Sequence, residues 1–293
     1  MCFCTIISMN YLARAKTLCS SLLCFYPGFR LHVLITDLSE PSNLSDDFAS
    51  AHFKVYTCSM LNLQGTEAYK AKYKPVEFDT FVKPAFLSLL LSENEEIIYT
   101  DPDTFYFSEP DEVFRLLKTN NIILTPHRFS DEKENLNSLF LLRYGYYNLG
   151  FIALHQAEET TRFLSWWQWK LEKYCLLDLN AGLAWDQRWC DLVPVYFEGV
   201  HLLRNRGYNV AFWNLFERNI VKDPEGAYWI MGKEKLVFYH FSHYLPEFPE
   251  YIRSVPNENS FTPFPKDQPC LPEIFAIYRS ILMDSEETDS VSR

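Results

Sequence analysis

The chain has 293 residues, and its share of 48% hydrophobic against 22% charged residues is enough for a sizeable folded core. Its 27 Lys and Arg face 38 Asp and Glu, and a net charge of −11 without a basic patch excludes nucleic acid as an expected partner. The longest apolar stretches are far shorter than the roughly 20 residues of a membrane span, and no basic leader precedes the first strand. We therefore expect a soluble, cytoplasmic protein.

The eight cysteines are scattered along the chain and include no CxxC pair of the kind that binds zinc. Cys2 and Cys4 would lie on one face of a strand, and Cys19 and Cys24 fall within a helical pattern. This distribution predicts reduced thiols that act mainly as small buried hydrophobes, in keeping with a reducing compartment.

Apolar runs and helical periods alternate along the first half of the chain. The predicted strands are 2–8, 29–37, 52–58, 95–101, 120–127 and 146–155, and the predicted helices are 11–26, 75–93 and 160–176. Pro84 should kink the second helix or mark an early turn in it. Alternating strands and helices imply an α/β fold, with a mainly parallel, Rossmann-like sheet flanked by helices. In such sheets ligands bind beyond the carboxyl ends of the strands.

The domain organisation is predicted from composition, since no repeat or clean linker divides the chain. We expect one domain over residues 1–245, a C-terminal extension over 246–283 that packs on it, and a disordered acidic tail over 284–293. The polar segment 130–138 is predicted to be a mobile loop.

The strand at 95–101 ends on Asp101-Pro102-Asp103, which has two interpretations. It is good turn chemistry, because Pro fixes φ and Asp side chains bond to nearby backbone. It is also suited to Mg²⁺ or Mn²⁺, because hard carboxylate oxygens match hard cations and both side chains can reach one ion. The position at a strand end favours a site. His240 closes the apolar run 235–241 and is a candidate third ligand, although a lone histidine there is more often structural.

Five segments occur in an order that resembles a known family. They are VKPAFLSLLLSENEEIIYTDPDTFYF, YYNLGFIALH, WDQRW, RGYNVAFWNL and FYHFS. Over roughly residues 1–245 this order resembles the GT-A nucleotide-sugar glycosyltransferases, most closely the glycosyltransferase family 8-like group. The resemblance implies a GT-A fold and transfer of a sugar from a nucleoside-diphosphate sugar, expected to be a UDP-sugar, to a sugar, glycan or protein acceptor, with retention of configuration.

The resemblance also assigns the residues that bind metal and donor. Asp101, Asp103 and His240 would hold Mn²⁺ or Mg²⁺, with Asp101 also at the donor. Lys83 would contact the donor phosphate or sugar, although a lysine on a helix is commonly exposed. The base and ribose would be held by Ser8, Asn10 and Tyr11. The structural alternative for Asn10 is a helix cap.

Three residues would approach the donor sugar and the transferred group: Asn148, Asp186 and Gln187. The alternative for Asp186 is an exposed ion pair with Arg188. If residues 185–189 are helical, Trp185 and Trp189 bury one face and Asp186 lies elsewhere, near a polar ligand such as a sugar hydroxyl.

One departure from the family concerns the diphosphate. Several family 8 members carry Gly and Lys shortly after the His-Phe pair, whereas this chain has Ser242 and His243. Arg204 or Arg206 would then have to complete the phosphate site. Trp213 and Asn214 are candidates for the acceptor side, with core packing as the alternative for Trp213.

Two other classes of protein remain open. A sugar-nucleotide pyrophosphorylase shares this kind of sheet, but it would carry a Gly-rich loop after the first strand, and ISMNYLARAK has no Gly. A catalytically silent nucleotide-sugar-binding module would keep the fold and use the acidic segment only as a turn.

Overall fold

The computed structural model of the protein describes residues 2–39, 52–130, 138–253 and 261–291. Residues 131–137, most of the predicted mobile loop, lie outside this range.

A seven-stranded sheet forms the centre of the described fold. Its strands in chain order are β1 (Cys2–Ile7), β2 (Leu31–Ile35), β3 (Phe53–Thr57), β4 (Glu96–Thr100), β6 (Ile122–Pro126), β7 (Tyr147–His155) and β10 (Val200–Leu202). They are arranged in the order β10-β6-β7-β4-β1-β2-β3. All neighbours are parallel except β7, which runs antiparallel to both β4 and β6. The predicted α/β class with a mainly parallel sheet is therefore confirmed.

Ten helices accompany the sheet in the described ranges. They are α1 (Leu12–Leu23), α2 (Thr66–Lys72), α3 (Pro75–Phe81), α4 (Lys83–Leu91), α5 (Asp111–Leu117), α6 (Ser138–Tyr144), α7 (Glu158–Tyr174), α8 (Gln187–Cys190), α9 (Val193–Tyr196) and α10 (Leu271–Val291). Where one helix is predicted over 75–93, α3 and α4 follow each other, with Pro84 in the first turn of α4. Proline is tolerated there because the first amides of a helix need no intrahelical acceptor.

The remaining strands form small sheets around the central one. β5 (Thr104–Tyr106) pairs with β14 (Phe238–His240). β8 (Leu177–Asp178) pairs with β9 (Leu183–Ala184), and β11 (Ile220–Lys222), β12 (Tyr228–Ile230) and β13 (Glu234–Lys235) form a three-stranded sheet. β15 (Tyr251–Arg253) pairs with β16 (Phe261–Pro263).

Apolar side chains cover both faces of the central sheet, because helices pack against each face. One cluster includes Phe86 of α4 and Trp167 of α7, and the opposite cluster includes Leu18 of α1. A third cluster joins Tyr239 of β14 to Tyr278 of α10, and α10 packs on α1. The C-terminal part of the chain is thereby fixed beside the carboxyl end of β1.

All eight cysteines are free thiols, and six of them are buried, including Cys2 and Cys4. Helix α10 continues through residues 284–291, within the segment for which the composition predicts a disordered tail. The division into residues 1–245, 246–283 and 284–293 stays a prediction. Within the described ranges, no helix combines the length and the apolar character needed to cross a lipid bilayer.

Candidate active site

The acidic segment lies where the apolar strand β4 ends, beside the first half of β7. The amide of Asp101 donates to the carbonyl of Gly150 at 2.8 Å, which extends the pairing of the two strands by one bond. The Asp101 carbonyl then accepts from the Thr104 amide at 3.2 Å and from Thr104 Oγ1 at 2.8 Å. The segment is therefore a tight turn that leads into β5, and this turn also aims both carboxylates to one side.

Pairing of β5 with β14 brings a third polar side chain to the turn. His240 is opposite Thr104 in the register, and the Phe241 amide donates to the Asp103 carbonyl at 2.8 Å. His240 Nε2 lies 3.0 Å from Asp103 Oδ1 and 3.8 Å from Asp101 Oδ2. One ligand atom from each of these three residues lies within 4.8 Å of the other two. Two carboxylates and an imidazole at this spacing can hold one divalent cation.

Neighbouring polar groups orient these three side chains. The Tyr99 hydroxyl donates to Asp101 Oδ1 at 2.7 Å. His240 Nδ1 lies 3.4 Å from Asn209 Oδ1, on the side of the ring opposite to the carboxylates. A histidine that binds a metal through one nitrogen commonly donates its other N–H to a neighbouring oxygen, and Asn209 supplies that oxygen.

The charges of this group are strongly coupled. Burial raises the pKa of Asp101, although Lys83 and His240 oppose the increase. Burial alone would also raise the pKa of Asp103, but the charge and hydrogen bond of His240 outweigh it and lower that pKa. Burial would lower the pKa of His240, yet Asp103 and Asp101 raise it. The site thus favours a positive charge between two carboxylates.

Gly150 is the residue that leaves space for this arrangement. A Cβ atom at this position would lie 2.6 Å from His240 Cε1, 2.7 Å from Asp101 Oδ2 and 2.8 Å from Asn148 Oδ1. These separations are shorter than van der Waals contact, so no larger residue fits while the other three keep their places. Gly150 therefore brings the β7 backbone, Asn148 and two candidate ligands close together.

Lys83 and Asp186 form a buried ion pair next to the candidate metal site. Lys83 Nζ donates to Asp186 Oδ2 at 2.7 Å and to the Leu149 carbonyl at 3.0 Å. The same ammonium lies 4.5 Å from the centre of the Tyr99 ring. Both partners are buried. The alternatives of an exposed Lys83 and of an exposed ion pair between Asp186 and Arg188 are therefore wrong. Arg188 instead pairs with Asp191.

The segment around Asp186 is not a continuous helix. Trp185 has a positive φ of 48°, and helix α8 begins only at Gln187. The predicted helical spacing of Trp185 and Trp189 is therefore wrong, because the left-handed residue turns the chain before the helix starts. Trp167 Nε1 donates to the Asp186 carbonyl at 3.1 Å, and Gln187 Nε2 donates to the Tyr144 carbonyl at 2.8 Å. These bonds fix the backbone on both sides of the Lys83 contact.

The loop after β1 lies at the same edge of the sheet. Ser8 Oγ donates to Asn10 Oδ1 at 2.7 Å, and the Met9 amide donates to Asp37 at 2.9 Å. Asn10 makes no side-chain cap of a helix, contrary to its structural alternative. The Tyr11 ring is 40% exposed, with the Arg14 guanidinium 4.9 Å from its centre. An exposed ring backed by a cation offers a surface for a flat base.

The remaining predicted residues have different surroundings. Trp213 packs edge-on against His240 at 5.3 Å, and Asn214 bonds to the carbonyls of His127 and Asn209. Both are buried, as core packing requires. Arg206 lies 5.6 Å from the Phe129 ring, and Arg204 is exposed. Among the residues that the structure describes, neither arginine contacts Asp101 or Asp103, so their role at a diphosphate stays a prediction.

Several residues that shape the site were missed by the sequence interpretation. Tyr99 is two positions before Asp101, so both side chains point to the same face of the strand, and this period could have indicated their contact. His127 follows β6 at the carboxyl edge, which is a comparable signal. The roles of Asn209 and Gly150 depend on long-range packing and leave no local pattern.

Comparisons with known proteins agree with the fold. Residues 48–191 match the model of the nucleotide-diphospho-sugar transferase family. The uncharacterized protein YfnD of Bacillus subtilis (strain 168) is 29% identical over 249 residues, which cover 82% of this chain and 76% of YfnD.

Two solved structures share the architecture. The galactosyltransferase LgtC, crystallised with donor and acceptor sugar analogs, superposes with a TM-score of 0.53 at 14% identity, covering 96% of this chain and 95% of LgtC. The glycosyltransferase GlyE of Streptococcus pneumoniae TIGR4 gives a TM-score of 0.52 at 14% identity, covering 99% of this chain and 64% of GlyE. At these identities the likeness shows the fold. The chain therefore has the GT-A fold, and its residues 48–191 are similar to the nucleotide-diphospho-sugar transferase family.

Proposed function

We propose that the chain is a metal-dependent transferase of the family 8 type. It moves a sugar from a UDP-sugar to a sugar, glycan or protein acceptor, with retention of the anomeric configuration. The observation that carries the proposal is the convergence of Asp101, Asp103 and His240 at the carboxyl end of β4, with ligand atoms within 4.8 Å of one another. Ligands of α/β sheets bind at this edge.

The residues present fit a divalent cation. Asp101, Asp103 and His240 would hold Mn²⁺ or Mg²⁺, and the oxygen-rich set suits such hard cations. When bound, the ion supplies a positive charge that stabilises the leaving nucleoside diphosphate. Tyr99 and Asn209 support the fit, because each contacts a candidate ligand on the side away from the group.

Residues beside the cation group are proposed to hold the donor. Ser8, Asn10 and Tyr11 would receive the base and ribose, since they follow β1 at the same edge of the sheet. Asn148 and Gln187 would approach the donor sugar.

Lys83 and Asp186 would act at the donor sugar as a pair. Lys83 would orient Asp186, whose carboxylate it already contacts, and this gives the sugar hydroxyls an acceptor in a fixed position.

We propose retention because Asp186 is poorly placed to act as a general base. Its side chain is buried, and its Oδ2 atom already accepts a hydrogen bond from the Lys83 ammonium, so this atom is not free to take the proton of an acceptor hydroxyl. A route in which the leaving phosphate takes the acceptor proton needs no such base. NMR of the first-formed product should show the donor's anomeric configuration, and an inverted product would refute this part of the proposal.

A donor screen tests the function as a whole. Intact protein is incubated with a panel of nucleoside-diphosphate sugars and Mn²⁺ or Mg²⁺, and release of nucleoside diphosphate is measured with and without EDTA. We expect release from a UDP-sugar that EDTA abolishes, and little release by Asp103→Asn, with Asp111→Asn at the exposed start of α5 as the matched control.

Other outcomes separate the alternatives. Full release in EDTA or by Asp103→Asn would overturn the metal role. Formation of nucleoside triphosphate from added pyrophosphate would indicate a pyrophosphorylase. A metal-dependent thermal shift with UDP, but no release from any donor, would indicate a silent binding module, because a ligand raises apparent stability without turnover.

A further inference from the structure

We infer that His127 is a positioning residue, which fixes the side-chain amide of Asn148 so that its oxygen faces the donor sugar. This inference rests on the proposed function, in which Asn148 approaches that sugar. Among the described residues, no hydrogen bond joins His127 to Asp101, Asp103 or His240. Its contribution would pass through Asn148.

The backbone determines which ring nitrogen of His127 carries the proton. His127 Nδ1 lies 3.2 Å from the carbonyl oxygen of Tyr146, and the His127 amide donates to the same oxygen at 2.9 Å. A carbonyl oxygen can only accept a hydrogen bond, so Nδ1 must carry a hydrogen. This leaves Nε2 as an acceptor whenever the ring is neutral.

The surroundings keep the ring neutral. His127 is buried, and burial lowers its pKa to about 4, although its backbone hydrogen bonds favour the charged form. Near neutral pH, Nε2 therefore has a lone pair and no hydrogen. Asn148 Nδ2 lies 3.3 Å from Nε2, and the amide nitrogen is the side-chain atom of Asn148 that can donate to it.

The orientation of one end of an amide determines the orientation of the other. With Nδ2 donating to His127, Asn148 Oδ1 must point away from the ring. This oxygen is buried and has no hydrogen-bond partner among the described residues. It faces the space above Gly150, where an added Cβ would lie 2.8 Å from Asn148 Oδ1 and 2.7 Å from Asp101 Oδ2.

Two acceptor oxygens that face one small space require a donor or a cation between them. An unpaired buried oxygen is unfavourable because it has lost its hydrogen bonds to water, so this site should bind a hydrogen-bond donor or a cation. A hydroxyl of the donor sugar beside the cation group supplies the required hydrogen. If the amide were reversed, its NH₂ group would face that space and the hydroxyl would have to be an acceptor.

Packing holds the histidine in place. The Trp213 ring lies edge-on to His127 at 5.5 Å, and the His127 carbonyl accepts from Asn214 Nδ2 at 2.8 Å. His127 therefore has few other orientations. The Tyr146 carbonyl, the His127 imidazole and the Asn148 amide thus form a chain of hydrogen bonds, here called the relay, that orients Asn148 Oδ1.

A double-mutant cycle tests this relay. His127→Met removes the acceptor while keeping an apolar side chain, and His127→Gln restores it, because Gln Oε1 can accept from Asn148 while its NH₂ group donates to Tyr146. We expect His127→Met to lower kcat/KM roughly tenfold, and His127→Gln to recover most of it. In an Asn148→Ala background, His127→Met should cause no further loss, because its partner is absent.

The opposite results overturn the inference. Equal losses from His127→Met in both backgrounds, or no recovery with Gln, would show that His127 only supports the fold. Wild-type activity of Asn148→Ala would instead remove the donor role of Asn148 that the proposed function assigns.

A second measurement needs no turnover. Long-range ¹H–¹⁵N NMR of the intact wild-type protein near pH 7 should show His127 protonated at Nδ1 and unprotonated at Nε2. Protonation at Nε2 would reverse the amide of Asn148 and refute the relay, whatever reaction the protein catalyses.

Discussion

Lys83 and Asp186 form an ion pair across 103 positions of sequence, with side chains only 4% and 5% exposed. The pair ties helix α4 to the segment before α8 and lies beside Asp101. Burial alone would lower the pKa of Lys83, but Asp186 and Asp101 raise it, so the lysine stays charged. A buried pair of this kind contributes little net stability when intact, whereas removal of one partner leaves an uncompensated charge.

Asp186→Asn should reduce turnover at least roughly tenfold, about 1.4 kcal/mol of barrier. The affinity for free nucleoside diphosphate should stay nearly unchanged, because Asp186 is proposed to meet the sugar. The single variant should also lose stability, on the order of 3 kcal/mol, since Lys83 remains buried and charged. Steady-state kinetics, nucleotide titration and chemical denaturation measure the three effects.

The double variant Lys83→Met with Asp186→Asn separates chemistry from folding. We expect it to regain much of the stability lost by Asp186→Asn while its turnover stays low. Recovery of both would mean that the pair only holds the fold. Glu93→Gln, which breaks the exposed pair with Lys54, is the matched control and should change stability by less than about 1 kcal/mol.

His240→Ala should weaken binding of Mn²⁺ at least tenfold, about 1.4 kcal/mol, because it removes one of three candidate ligand side chains. Isothermal titration of the intact protein with Mn²⁺ measures the change. His201→Ala, on the edge strand β10, is the matched control and should bind Mn²⁺ like the wild type. A large fall in melting temperature with unchanged metal affinity would show that His240 is structural.

Gly150→Ala should impair metal binding and turnover together. The added methyl group would come within 2.6 Å of His240 Cε1 and 2.7 Å of Asp101 Oδ2, so at least one candidate ligand must move. Overpacking of this kind costs about 1–3 kcal/mol of stability. Gly182→Ala controls for a simple loss of stability, because its φ of 74° is strained but its Cβ meets nothing within 4 Å. Equal activity of the two variants would contradict the proposed role of Gly150.

Asp79 should make the protein less stable as pH rises. Burial raises its pKa from 3.8 to about 6, and the nearby Asp37 adds to this increase, while the hydrogen bond from Thr36 opposes it. The folded state therefore binds a proton that the unfolded state releases between these values. Stability from this group is present below about pH 4 and is lost as pH increases through 6, by roughly 3 kcal/mol at most.

Asp79→Asn should remove this dependence. The gain in unfolding free energy over wild type should grow between pH 5 and pH 8, as measured by urea denaturation at several pH values. Glu225→Gln, at an exposed turn, should show no such trend. A gain for Asp79→Asn that is the same at every pH would contradict the assignment.

The parts of the site that sequence predicted are those with a local pattern. The apolar run before Asp101 and the run that ends at His240 marked strand ends, and in α/β folds strand ends meet ligands. Pro84 marked the break between α3 and α4 for an equally local reason.

The parts that sequence missed depend on direction or on distant partners. Hydrophobicity identified β7 but not its antiparallel direction, and that direction places Asn148 and Gly150 at the carboxyl edge. The partner of Lys83 is 103 residues away, and no periodicity connects it with Asp186. The positive φ of Trp185 is set by tertiary packing and opposed the predicted helix.

The stack of Phe241 on Tyr278 affects the order in which a newly made chain can become active. The rings lie 3.8 Å apart and nearly parallel, which anchors the residue after His240 to helix α10. During synthesis the N-terminal strands emerge first and can pair early. His240 is synthesised nearly half of the chain after Asp101 and Asp103. Helix α10, which fixes its position, is synthesised later still. A nascent chain would therefore hold two close carboxylates without His240, so the proposed metal-dependent activity would begin only after α10 has been synthesised.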